Sequence, residues 1–210
     1  MKADGILFDL DGTLWDATES ITAVWNALRR QACPDALASF TQAEIRSCMG
    51  MRLDDIGRKL FPDEAPERQQ SLVDRFCSEE VKLLSRTGGR LYPGLQQTLR
   101  ALHERFPLFI VSNCQSGYIE CFLHAHHMAP WFRDIECAGR TGLPKAQNIA
   151  LVARRNGLKA PVYVGDTALD GRSAHEAGVP FIFARYGFGA TQDFEAAIDS
   201  LGELPALLEG

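Results

Sequence analysis

The chain has 210 residues, 46% of them hydrophobic, and a formal charge of −5. That length suits one large domain, or a core with a smaller insert, and it can bury a core without disulfide staples. The acid excess, with basic residues scattered and Arg29-Arg30 and Arg154-Arg155 no more than pairs, argues against a nucleic-acid surface. No apolar run approaches the roughly 20 residues that cross a bilayer, and charge begins almost at Met1, which argues against a signal peptide. The six cysteines, at 33, 48, 77, 114, 121 and 137, form no Cys-x-x-Cys pair and read as reduced, mostly buried thiols. A cytoplasmic protein is expected, a monomer or weak dimer, with neither nucleic acid nor membrane as partner.

In chain order, Ile6-Leu7-Phe8 is the first buried-strand candidate. From about Trp15 to Gly89 no convincing strand appears. Ile21, Val24, Trp25 and Leu28 fall at helical spacing, as do Leu53, Ile56 and Leu60, and then Leu72, Val73, Phe76, Cys77, Leu83 and Leu84. Cys33-Pro34-Asp35 and Phe61-Pro62-Asp63 break these helices, and Gly88-Gly89 and Pro93-Gly94 close the stretch. Beyond it, Leu95, Leu99 and Leu102 mark a helix, and Ile149 and Val152 mark another more weakly. Leu108–Val111, Val162–Val164 and Phe181–Phe183 are further strands. Buried runs alternating with amphipathic helices predict an α/β fold, a doubly wound parallel sheet covered on both faces. The expected division is a core of residues 1–14 and 90–210, with an all-helical insert at 15–89.

Three strand ends carry polar groups suited to chemistry. Asp9-Leu10-Asp11-Gly12-Thr13 follows the first strand, and Gly12 permits a tight turn that brings backbone N–H groups forward. Ser112-Asn113 ends the second, offering a hydroxyl, an amide and fresh helix N–H groups for an anion. Gly165-Asp166-Thr167-Ala168-Leu169-Asp170 ends the third. Ligands of open parallel sheets bind beyond such ends. Asp9, Asp11, Asp166 and Asp170 gathered together would repel one another without a cation, and Mg²⁺ suits carboxylates with water and phosphate. A plain helix start, with Asp166 or Thr167 as N-cap, is the alternative for the third motif. Of only five lysines, Lys145 stands in a loop just before a helical pattern and is the best candidate for fixed positive charge, whereas Lys159 looks like a surface residue.

These four elements, D-x-D-G-T, Ser-Asn, Lys and G-D-x-x-x-D in this order, resemble the haloacid dehalogenase superfamily over nearly the whole chain. The helical insert resembles that superfamily's small cap, and the phosphoglycolate-phosphatase-like phosphatases look nearest. The resemblance implies hydrolysis of a small-molecule phosphate monoester through an aspartyl-phosphate. It makes Asp9 the nucleophile and Asp11 the general acid and base. Gly12, Thr13, Ser112 and Asn113 would hold phosphate, and Lys145 would neutralise it and orient Asp9. Asp166 would bind Mg²⁺ with Asp9 and the Asp11 carbonyl, supported by Asp170. The family lysine is commonly followed by proline; here Pro144 precedes it. The presence of Asp11 argues against dehalogenation. A sugar phosphomutase of the same superfamily and a receiver-like phospho-aspartate domain are the alternatives.

Outside these motifs, Arg52 after Gly50 is a candidate for choosing the substrate from the insert, against a solvated Arg paired with Asp54 or Asp55. His124, His126 and His127 read as a helix end whose partial charge suits the dipole rather than as a zinc site. Cys114 reads as a packed residue, Trp15 as hinge packing and His175 as a helix-face residue.

Overall fold

The computed structural model describes residues 1–32 and 38–208, so the Cys33-Pro34-Asp35 break lies outside the described residues. Six strands form one parallel sheet: β1 (Gly5–Phe8), β4 (Leu108–Ser112), β5 (Phe132–Cys137), β6 (Pro161–Gly165), β7 (Phe181–Ala184) and β8 (Ala196–Ile198). Their spatial order is β5-β4-β1-β6-β7-β8. Two further strands, β2 (Trp15–Asp16) and β3 (Arg90–Leu91), pair antiparallel outside it. The sheet is the expected doubly wound α/β arrangement.

Each central strand is apolar on both sides because each side is covered. Ile6 and Phe8 of β1 join one apolar cluster, and Leu7 between them joins the other. That is period-two alternation with no polar face, the mark of a sheet buried on both sides. From β1 the chain builds to β4 and β5 on one side, then crosses to β6, β7 and β8 on the other. The crevice between these two directions lies at the carboxyl ends of β4, β1 and β6, where an open α/β sheet binds its ligand.

Helices occupy the stretch between β2 and β3: α1 (Thr18–Ala32), α2 (Gln42–Arg46), α3 (Leu53–Leu60) and α4 (Pro66–Thr87). Their buried residues are those of the apolar periodicity, such as Ile21, Trp25 and Leu28 in α1 and Leu72, Val73, Phe76 and Cys77 in α4. Edge-on aromatic contacts knit the group. Trp25 meets Phe76 at 5.4 Å, and Phe61 meets both Phe76 and Phe40 at 5.7 Å between centroids. The pairing of Trp15 with Leu91 and of Asp16 with Arg90 makes the chain leave and rejoin the core at one place. The core continues with α5 (Leu95–His103), α6 (Tyr118–Ala125), α7 (Ala138–Thr141), α8 (Lys145–Arg155), α9 (Ala168–Glu176) and α10 (Leu204–Leu207). Helix α4 packs on α6 of the core.

Strand β2 corrects the reading of residues 15–89 as free of strand. Two residues give no periodicity, and their pairing with β3 spans more than seventy residues. Strands β5 and β8 were also not anticipated. Among the described residues the five cysteines are free, and no helix is long and apolar enough to cross a membrane.

Phe76 has no exposed surface and touches two other rings of the helical group. Phe76→Ala is expected to destabilise the protein by about 3–5 kcal/mol. Equilibrium unfolding in denaturant checks this; a loss below ~1 kcal/mol would show that the cluster relaxes around the void.

Candidate active site

Asp9 leaves β1 fully buried, and its N–H donates to Val164 O of β6 at 2.8 Å, which fixes the backbone there. The next residues curl into a turn in which Thr13 and Leu14 both donate to Leu10 O. Gly12 sits in this turn at φ 81°, a conformation costly for other residues. Its N–H is spent on Trp15 O at 2.9 Å, so the expectation that Gly12 offers its amide to phosphate is corrected. Space is the second reason for glycine here: a Cβ would overlap the Asp166 carboxylate.

Lys145 opens α8, and its side chain is 1% exposed. Its ammonium donates to Asp9 Oδ1 at 2.9 Å and to Asp170 Oδ1 at 2.7 Å. Burial by itself would strip the proton from Lys145, but Asp170 and Asp9 outweigh it and hold the amine charged. Asp170 does a second job in the same place. Its Oδ2 accepts from the N–H and hydroxyl of Thr167, closing a capping box at the start of α9. The helix-start alternative and the charged-site reading are therefore both realised by one carboxylate.

Asp166 has no exposed surface. Its Oδ1 accepts from the Thr13 hydroxyl at 3.2 Å and its Oδ2 from Phe188 N at 2.7 Å. Asp9, Asp166 and Asp170 bring carboxylate oxygens within 4.8 Å of one another. Three buried acids face one ammonium, so negative charge is left over. Burial, with Asp170 adding to it and Lys145 opposing, pushes Asp9 up to about 6. Burial, then Asp170 and Asp9, lifts Asp166 well above its ordinary range. A site made only of oxygen donors with surplus negative charge fits a hard divalent cation. Asp170 Oδ2 is taken by Thr167, while its Oδ1 accepts only from Lys145 and keeps room for a further contact.

Asp11 points elsewhere. Trp15 Nε1 at 2.9 Å and the Tyr118 hydroxyl at 2.8 Å both donate to its Oδ1. Burial, reinforced by the charge of Asp9, pushes Asp11 up to about 8, despite these donors. Its other oxygen, Oδ2, is then the place for a proton. Ser112 and Asn113 end β4 beside it, both buried. The Asn113 amide N–H donates to Gly50 O in the helical group at 2.8 Å, and its Oδ1 is buried without a partner. Asn113 thus ties the two halves together rather than serving the cradle alone.

Between the halves lies a cavity of about 50 Å³. It is bounded on the core side by Asp11, Ser112 and Asn113, and on the helical side by Trp25, Met49 and Glu80 among others. Arg52 does not line it. Its guanidinium pairs with Asp54 at 3.5 Å with the side chain 41% exposed, so the expectation that Arg52 faces the site is not met. Arg46 instead meets the core half over the Phe188 ring at 5.1 Å, and within its own half it reaches Asp16 at 3.3 Å. His126 packs edge-on against Trp15, and burial holds it below its ordinary pKa, so it adds no charge to the helix end.

A model of the haloacid dehalogenase-like hydrolases matches residues 6–184. The chain belongs to that family. It is a phosphohydrolase of the haloacid dehalogenase type, resembling the phosphoglycolate-phosphatase branch. Phosphoglycolate phosphatase of Rhodobacter capsulatus is 28% identical over 221 residues, covering 99% of this chain and 98% of the relative. N-acetylmuramic acid 6-phosphate phosphatase of Pseudomonas aeruginosa is 25% identical over 207 residues, covering 92% and 86%. A haloacid dehalogenase-like family protein of Streptococcus pneumoniae superposes with a TM-score of 0.83 at 21% identity, covering 97% of each chain, which is a likeness of fold.

Several residues of this phosphohydrolase site carry no sequence signal. Tyr118 and Glu80 are single residues outside every motif. Gly187 lies so close to Asp166 and Gly12 O that a Cβ would overlap them. Only its place just after the last long strand could have hinted at it.

The raised acids make stability depend on pH. A carboxyl whose folded pKa is raised stabilises fully below about 3.8 and loses that contribution as pH rises through the folded value, about 8 for Asp11. With chelator present, the unfolding temperature is expected to fall between pH 4 and pH 8, and Asp11→Asn to flatten that slope. Calorimetry across this range checks it; an equal slope in the variant would mean that Asp11 ionises freely.

Proposed function

We propose that the chain is a Mg²⁺-dependent phosphatase of small phosphate monoesters, working through an aspartyl-phosphate on Asp9. The observation that carries this is the buried Lys145 ammonium on Asp9 Oδ1. It leaves the second oxygen of Asp9 as the attacking atom and offers positive charge where a transferring phosphoryl group gathers it. Mg²⁺, held by Asp9 and Asp166 with Asp170 behind, would offset the surplus negative charge and polarise the phosphoryl oxygens. Thr13, Ser112 and Asn113 are the proposed polar contacts to the phosphoryl group.

Asp9 attacks phosphorus, and the bond to the leaving oxygen breaks. Asp11, protonated near neutral pH, gives that oxygen its proton. The resulting Asp11 carboxylate then takes a proton from the water that attacks the aspartyl-phosphate. Inorganic phosphate leaves, and Asp9 and protonated Asp11 are restored. Residues 15–89 are the proposed cap: the contacts Asn113 to Gly50 and Arg46 to the Phe188 ring close it over the site and exclude bulk water. The phosphomutase alternative needs room and positive charge for a second phosphate. The cavity is about 50 Å³, and no Lys or Arg lines it among the described residues.

Asp9→Asn is expected to lose at least ~10³-fold in turnover on an aryl phosphate with Mg²⁺. Near-normal turnover by purified variant would overturn the assignment. Lys145→Ala is expected to impair turnover far more than Lys159→Ala, since Lys159 lies on the exposed surface. Steady-state rates of the two variants, compared with and without chelator, check the placement of the charge and the need for metal.

A further inference from the structure

The cavity beside Asp11 has a consistent chemical character. Its helical wall is built from apolar side chains, among them Ile21, Ile45 and Leu60, with one ionisable group, Glu80. Glu80 is 4% exposed. Trp25 Nε1 donates to its Oε2 at 2.7 Å and Gln115 Nε2 to its Oε1 at 2.8 Å. Each oxygen has capacity for a further donor. The core wall supplies a second acceptor, the buried and unpartnered Oδ1 of Asn113.

Four side-chain donors around this cavity are engaged with protein partners. Trp25 and Gln115 serve Glu80, Tyr118 serves Asp11, and the Asn113 amide serves Gly50. No Lys, Arg or His lines it among the described residues. A carboxylate placed here would meet Glu80 and Asn113 Oδ1 with no cation to offset it, and a buried unpaired charge is strongly unfavourable. Burial also lifts Glu80, to about 7, which marks the same lack of positive charge.

We propose that Glu80 and Asn113 make this cavity select a short, non-anionic leaving alcohol whose free end donates hydrogen bonds, an amine or a hydroxyl, and reject carboxylate-bearing alcohols such as glycolate. This rests on the phosphatase reading above, with the leaving oxygen at Asp11 and the remainder of the alcohol in the cavity. An ammonium is the better complement of the two, because it also offsets the Glu80 charge. The cavity is also small, about 50 Å³, which suits a short alcohol better than a long one. Curated relatives act on phosphoglycolate by name, so the proposal sets this chain apart from them in substrate.

The test compares kcat/KM, with Mg²⁺, for ethanolamine phosphate, glycerol phosphate, phosphoglycolate and para-nitrophenyl phosphate. Both donor-bearing esters are expected to exceed phosphoglycolate by at least about tenfold. Glu80→Gln is expected to lower the ratio of ethanolamine phosphate to aryl phosphate by about tenfold, since it removes the charge and keeps the shape. Phosphoglycolate turned over as well as the donor esters, with the aryl ester hydrolysed, overturns the cavity proposal and leaves the phosphatase reading standing. Binding to the unmutated protein is measured separately by calorimetry, with aminoethylphosphonate and carboxyethylphosphonate. Tighter binding of the amine by about tenfold supports the proposal, and equal or reversed affinity overturns it. If no ester is hydrolysed, the aryl phosphate included, the phosphatase reading fails, and the proposed leaving-group role fails with it.

Discussion

The ammonium of Lys145, buried between Asp9 and Asp170, is the contact on which the site depends. A charged lysine without water is strongly unfavourable, and only close carboxylates make it tolerable. Those carboxylates come from the end of β1 and from the first turn of α9, with Asp166 of the β6 end beside them. The sheet must therefore be assembled, and α8 and α9 docked, before Lys145 finds its partners. The same cluster contains more acid than one lysine can balance. Its folded state is strained by like charge in a way that a divalent cation would relieve. One charge imbalance thus bears on stability and, in the proposed mechanism, on reactivity as well.

Closure of the proposed cap would depend on residues that also line the proposed site. Trp15 belongs to the β2–β3 ribbon through which the chain leaves the core, yet its indole N–H lands on Asp11 Oδ1. Asn113 stands at the end of β4 and donates to Gly50 in the helical group. Arg46 reaches back to Asp16, whose carboxyl stays below its ordinary range because bonds from Thr18, Arg90 and Arg46 outweigh its burial. The Arg46 side chain is 44% exposed, so this pair contributes little to stability by itself. Its consequence is geometric: it joins the insert to the residue that begins it, and it lies over Phe188, whose N–H holds Asp166. A rotation of the helices away from the core would loosen Asp11, Asn113 and the loop behind Asp166 together.

What was legible in the sequence was local and strongly patterned. Fully apolar strands such as Leu108–Val111 announce a sheet covered on both faces. Short acidic motifs directly after them place the site at strand ends. Scarcity made Lys145 stand out. Strand β5 was not legible because it reads Phe132-Arg133-Asp134-Ile135-Glu136-Cys137, an edge strand whose acids are masked only once Arg155 of α8 reaches Asp134 and Glu136. The β2–β3 ribbon is too short for any periodicity. Tyr118, Glu80 and Gly187 matter through proximity created by the fold, and no spacing along the chain encodes that proximity. Arg52 had the right chemistry and the wrong direction: beginning α3, its side chain turns back to Asp54.

The two halves of the site obey different constraints. On the core side, charge must be arranged around a phosphoryl group, and that demand is the same for every monoester. It can therefore be met by short motifs at fixed places on the sheet. On the helical side, the proposed demand is set by the alcohol alone, and the side chains that would meet it are scattered over α1, α2, α3, α4 and residues 48–51. The buried Glu80 would be a liability in a wall meant for an anionic alcohol. It is held in place by two donors and faces a cavity with no cation among the described residues, an arrangement that makes sense for a ligand that brings the missing donors itself. A likeness strong enough to assign the family and the phosphoryl chemistry rests mainly on the first half. The polarity of the second half is an independent property of this chain, and it points away from the acidic alcohol that the relatives' names specify.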